Sequence, residues 1–98
     1  MMYPFIQLED NTEIEHSETL RDGSVKVYIE KPIDGGFHTA TCYLPSYEWK
    51  DVNGFSKSDI KLYQDILEST AHLIIRFASE YSLARQHNAL HPIPGNWH

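Results

Sequence analysis

The run from Lys57 to about Tyr81 constrains this chain most, because it is the one segment with sustained helical periodicity. Ser56 offers an N-cap, Asp59 completes a capping box three residues on, and Phe55 with Ile60 forms a hydrophobic staple around the start. Asp59 early and Arg76 late suit the helix macrodipole, and no glycine or proline interrupts the interior. With residues spaced at about 100° around the axis, Ile60, Tyr63, Leu67, Ala71, Ile74, Ala78 and Tyr81 fall on one stripe. Lys61, Asp65, Glu68, His72, Arg76 and Ser79 fall on the solvent side. A second stripe of Leu62, Ile66, Leu73 and Phe77 widens the apolar arc to roughly 220°, about twice what packing on a single sheet requires. A helix of about 24 residues is also roughly 36 Å long, whereas strands of about eight residues reach only about 26 Å. Either the C-terminal tail or a second copy of the chain has to cover the excess, and a symmetric homodimer is the commonest solution. Leu62, Ile66, Leu73 and Phe77 are therefore the candidate interface.

Before this helix the chain reads as short β segments divided by turn signals. Tyr3–Leu8, Thr12–Leu20, Val25–Pro32 and Phe37–Leu44 have strand composition, and Asp22-Gly23 and Asp34-Gly35 are tight-turn dipeptides suited to two-residue type I′ loops. With Asp34-Gly35 as a loop, Ile29 faces Ala40, Val27 faces Cys42 and Val25 faces Leu44, collecting the aliphatic residues on one side. With Asp22-Gly23 as a loop, Leu20 faces Val25, Glu18 faces Val27 and His16 faces Ile29. A three-residue loop at Glu9-Asp10-Asn11, with Asn11 left-handed, brings Leu8 and Ile6 beside Thr12 and Ile14. Pro45–Gly54 is left as a connector whose Trp49 caps the core. The expected fold class is α+β: a four-stranded antiparallel meander in the order 1-2-3-4 with one long C-terminal helix on one face, ββββα. Residues 1–86 make a single domain and 87–98 a flexible or docked tail, in which Pro92 and Pro94 forbid helix.

Composition narrows the function classes. A net charge of −6 over 98 residues disfavours contact with phosphate backbones, so nucleic acid is not an expected partner. No apolar run approaches the roughly 18 residues of a membrane span, and no signal-type segment opens the chain. A single cysteine, Cys42, forms no internal disulfide, which suits a reduced, cytoplasmic compartment.

Few residues suggest chemistry. His16 and Glu18, two apart on one strand, form a base-and-orienter pair if they share a partly buried place; otherwise they mark a wet end of the sheet. His38 and Cys42 are four residues apart along a strand, roughly 13 Å, too far to share a metal or act as a nucleophile pair, and Cys42 reads as a small core hydrophobe. His87, His91 and His98 lack the compact spacing of a metal site. No phosphate-binding loop, nucleophile elbow or zinc motif is present, and no cofactor or metal is implied. Phe5, Tyr28, Phe37 and Tyr43 put aromatics on the outer sheet face beside Glu13, Glu15 and Glu30. That surface suits a protein partner, or else simple cross-strand pairing. The expectation is a small non-catalytic interaction or regulatory protein, a homodimer acting by protein binding. A ligand-binding or hydrolytic domain using His16 and Glu18 is the alternative.

Overall fold

The computed structural model describes residues 1–90, with side chains through Gln86. These residues form β1 (Met2–Gln7), β2 (Glu13–Ser17), β3 (Val25–Ile33), β4 (Gly36–Leu44), β5 (Glu48–Asn53) and α1 (Lys57–Leu90). The strands make one antiparallel sheet in the order β1-β2-β3-β4-β5. The α+β class and the meander are as expected, but the sheet has five strands rather than four. The connector Pro45–Gly54 supplies the fifth, with Trp49 opposite Cys42 and Glu48 opposite Tyr43. Two non-glycine residues with positive φ, Tyr47 (59°) and Asp51 (53°), break its alternation and hide the strand signal. Trp49 still covers core, and its Nε1 donates to Gln64 Oε1 at 2.7 Å, tying β5 to α1.

The β3–β4 register is the expected one, with Val25 opposite Leu44, Val27 opposite Cys42 and Ile29 opposite Ala40. Only Gly35 of the Asp34-Gly35 loop has positive φ (84°), so the turn is not type I′, which needs both central residues there. The β2–β3 register departs from expectation by two residues. The Gly23 N–H donates to the Leu20 carbonyl and the Leu20 N–H to the Ser24 carbonyl, closing a three-residue loop in which Gly23 is left-handed. Closer to β2 an extra residue enters at Ser17–Thr19, where Ser17 Oγ accepts the Lys26 N–H that a ladder carbonyl would otherwise take. His16 consequently sits opposite Val27 and Ile14 opposite Ile29. Two one-residue shifts leave the faces unchanged, because side chains alternate with period two.

The first turn forms as predicted. Asn11 has φ 68°, Leu8 N–H donates to Thr12 O, and Ile6 lies opposite Ile14. Beyond it, a bulge at Phe5 leaves Pro4 opposite Glu15 and Tyr3 opposite His16. The bulge turns both Tyr3 and Phe5 toward the helix side of the sheet.

The helix starts where the capping residues place it. Ser56 Oγ accepts the Asp59 N–H at 3.1 Å, and an Asp59 carboxylate oxygen accepts the Ser56 N–H at 2.8 Å. That second bond holds the Asp59 carboxyl below its ordinary pKa. Just before it, Gly54 adopts φ 95° with the His38 ring lying where a side chain would project. Tyr63, Leu67, Ile74 and Ala78 are buried against Ile14, Val25, Val27, Ile29, Ala40, Cys42 and Leu44, with Ile60 and Ala71 at the margin of the same stripe. Lys61, Asp65, Glu68, His72, Arg76 and Ser79 are all exposed. At 34 residues, α1 is about 51 Å long, comparable to the 55 Å long axis of the molecule and well beyond a nine-residue strand of about 30 Å. It runs past Tyr81, where the periodic stretch of the sequence ends, and past the expected domain boundary at 86. Of the expected tail, residues 91–98 and the side chain of His87 lie outside the described residues.

Leu67→Ala empties a fully buried site and should destabilise the fold by about 2–5 kcal/mol. Leu62→Ala on the exposed flank should change it by less than about 0.5 kcal/mol. Urea unfolding followed by far-UV circular dichroism at low protein concentration distinguishes the two.

Candidate functional site

The bulge at Phe5 and the C-terminal half of α1 together build a cleft. Tyr3 stacks on Tyr81 with ring centroids 3.8 Å apart and planes 7° from parallel. Phe5 meets Phe77 at 6.2 Å, and His16 lies 5.8 Å from Tyr81 and 6.4 Å from Phe5. Between these rings is a cleft of about 490 Å³, lined by Pro4, Phe5, His16, Phe77, Glu80, Tyr81 and Ala84. Its walls come from the outermost strand, the second strand and the helix, so it exists only when the sheet edge is closed by α1.

His16 forms the floor. Its side chain is almost wholly buried, at 1% exposure. Nδ1 lies 2.7 Å from the Ser17 carbonyl oxygen. A carbonyl only accepts, so Nδ1 carries a ring proton, and in the neutral ring Nε2 is the nitrogen with the lone pair. The bond to Ser17 is the sole hydrogen bond the ring makes among the described residues.

No hydrogen bond joins His16 to Glu18, and the wet sheet end weighed against that pair does not describe His16, which is buried. β2 ends at Ser17, and the extra residue there turns Glu18 away from the imidazole. Its carboxylate instead accepts from Arg85 Nη1 at 2.9 Å and from the Tyr3 hydroxyl at 3.3 Å. Glu18 borders a second, smaller depression of about 220 Å³ with Thr19, Ser82, Arg85 and Gln86. There Ser82 Oγ accepts the Thr19 N–H at 2.9 Å and donates to the Ala78 carbonyl at 3.0 Å. Tyr3 links the two places: its ring packs 5.9 Å from His16 while its hydroxyl binds Glu18. Glu18 therefore acts as a strut fixing the helix end and the Tyr3–Tyr81 stack, not as the orienter of His16.

The four outer-face aromatics are also dispersed. Phe5 lies on the helix side, because the bulge reverses its face. Phe37 is 58% exposed at the far hairpin, opposite Pro32. Tyr28 and Tyr43 remain on the outer face as half-buried diagonal neighbours, Tyr28 being opposite Thr41. The Tyr28 hydroxyl donates to Glu30 at 3.4 Å, and burial followed by that carboxylate pushes its phenol pKa up. Lys50 lies 5.7 Å over the Tyr43 ring. Of the helix flank, Leu62 is 54% exposed, Ile66 packs partly on the core, Leu73 is half-buried, and Phe77 is drawn into the cleft.

The sequence reading singled out His16 but missed Tyr3, Phe77 in this role, Glu80 and Tyr81 as its neighbours. Pro4 carried the missed signal: a proline inside a strand marks an edge or a bulge, and here it immediately precedes the bulge.

Among the described residues, no group of three or more His, Cys, Asp or Glu side chains is placed to hold a metal ion. No described helix is long and apolar enough to cross a membrane. No protein-family model matches the chain, and neither a curated protein nor a solved structure matches it.

Cys42 is fully buried, and desolvation pushes its thiol pKa up to about 12. At pH 8 only about one thiol in ten thousand would be ionised even if reagent reached it. Native protein should therefore resist a thiol reagent such as dithionitrobenzoate and react stoichiometrically once denatured, as followed by thionitrobenzoate release.

Proposed function

We propose that this protein is a small non-catalytic interaction protein that works as a homodimer, pairing through the flank of α1. The observation that carries this reading is the uncovered apolar surface of the helix. Leu62 and Leu83 are 54% and 61% exposed. The N-terminal half of the flank offers Leu62 and Ile66 beside one another at i and i+4, bordered by the i,i+4 ion pair Lys61–Asp65. A helix longer than its sheet presents such residues at a geometry suited to an antiparallel or crossed helix pair, in which each copy covers the other. Glu18 is engaged by Arg85 and Tyr3, and His16 by the Ser17 carbonyl, rather than by each other as base and orienter. This favours binding over catalysis.

A second reading is favoured by a specific observation, the buried His16 with its unpaired Nε2 on the cleft floor. Under that reading the protein is a small ligand-binding domain, with His16 as a recognition group and Glu18 as support for Tyr3. The two readings use different parts of α1, centred on Leu62 and on Tyr81.

Multi-angle light scattering at micromolar concentration should give twice the chain mass of 11.4 kDa. Leu62→Asp should shift the population to monomer, with at least a roughly tenfold weaker dissociation constant, about 1.4 kcal/mol, and an unchanged circular dichroism spectrum. A wild-type protein that remains monomeric at the highest concentration tested would exclude the homodimer.

A further inference from the structure

We infer that the cleft between β1 and the C-terminal half of α1 binds a small protonated amine with an apolar or aromatic body. This rests on the second reading above, that the cleft is a ligand site, and adds the chemical class of the ligand.

Four features of the cleft converge on that class. Its volume, about 490 Å³, lies within the range of small-molecule sites. Phe5, Phe77 and Tyr81 supply ring faces, whose negative potential attracts an organic cation as well as an apolar body. At the floor, His16 lines the cleft with its Nδ1 proton already given to the Ser17 carbonyl, so in the neutral ring Nε2 is the nitrogen left to accept, and a ligand that displaces water from it has to supply a donor. At the rim, Glu80 contributes a carboxylate whose protein partner is weak. Arg76 Nε stands 3.7 Å from it, with both side chains more than half exposed. The nearby Arg85 guanidinium is engaged by Glu18 at 2.9 Å.

Other ligand classes fit less of this. A carboxylate or phosphate would meet the rings and Glu80 and find no cation on the lining. A hydrocarbon would leave Nε2 unpaired. A quaternary ammonium would gain the ring contacts but has no N–H for His16. A primary or secondary ammonium donates to Nε2, sits against the rings and is attracted by Glu80, while its carbon body displaces water from Pro4, Phe77 and Ala84. The overall charge of −6 favours the approach of a cation in the same sense.

Full-length protein titrated with 2-phenylethylamine, 2-phenylethanol and phenylacetate gives a direct test by isothermal calorimetry and amide chemical-shift mapping. The amine should bind with shifts centred on Phe77, Glu80 and Tyr81, roughly tenfold more tightly than the alcohol, and phenylacetate should not bind. Glu80→Gln, at an exposed position, should keep the fold and lower amine affinity about threefold or more while leaving the alcohol unchanged. If the alcohol binds in the cleft as tightly as the amine, the amine class is overturned and the ligand site stands. If neither the amine nor the alcohol shifts the cleft amides at millimolar concentration, both are overturned.

Discussion

The contact between one stripe of α1 and one face of the sheet holds this structure together. Tyr63, Leu67, Ile74 and Ala78 bury against Ile14, Val25, Val27, Ile29, Ala40, Cys42 and Leu44, and no second helix among the described residues covers the opposite face. A two-layer domain of this size has little other apolar surface to bury, so every strand must keep its aliphatic residues on the same side. That requirement explains the pair of one-residue shifts on the way from β3 to β2. Either shift alone would have turned Ile14 and His16 outward, whereas together they keep both facing the helix.

Where only one such shift occurs, the result is a site. The bulge at Phe5 is not compensated, and it brings Tyr3 and Phe5 under α1 from an edge strand whose register further along would have exposed them. The helix overshoots the strands and meets these rings with Phe77 and Tyr81, while Arg85 and Ser82 bind Glu18 and Thr19. The same bulge and Pro4 make β1 a poor template for adding another strand, since they interrupt its free hydrogen-bonding edge.

Most of the architecture was legible in the sequence because it rests on local, redundant signals. The capping box at Ser56 and Asp59, the left-handed Asn11, the β3–β4 register and the core stripe of α1 all follow from residue type and periodicity. The fifth strand was not legible. Its pairing with β4 shifts register where Asp51 adopts positive φ, and it follows Tyr47, also at positive φ, a conformation that a tyrosine does not announce. At the site, His16 could be identified as inward-facing, but its partner could not. The extra residue at Ser17–Thr19 and the bulge at Phe5 are tertiary outcomes, and they replaced Glu18 with an aromatic neighbourhood contributed by the first strand and the far end of the helix. Pro4 hinted at irregularity without saying which residue would turn.

The cleft depends on the geometry around His16. The bulge places Tyr3 and Phe5 on it, and the Ser17 carbonyl sets which ring nitrogen is free. Long-range proton–nitrogen correlation spectra of the imidazole rings report that assignment directly at neutral pH. The structure predicts a proton on His16 Nδ1, held by the Ser17 carbonyl, so that the neutral ring carries its unprotonated nitrogen at Nε2. A proton on Nε2, the tautomer that unperturbed histidine prefers, would contradict the Ser17 contact and with it the cleft as a recognition site.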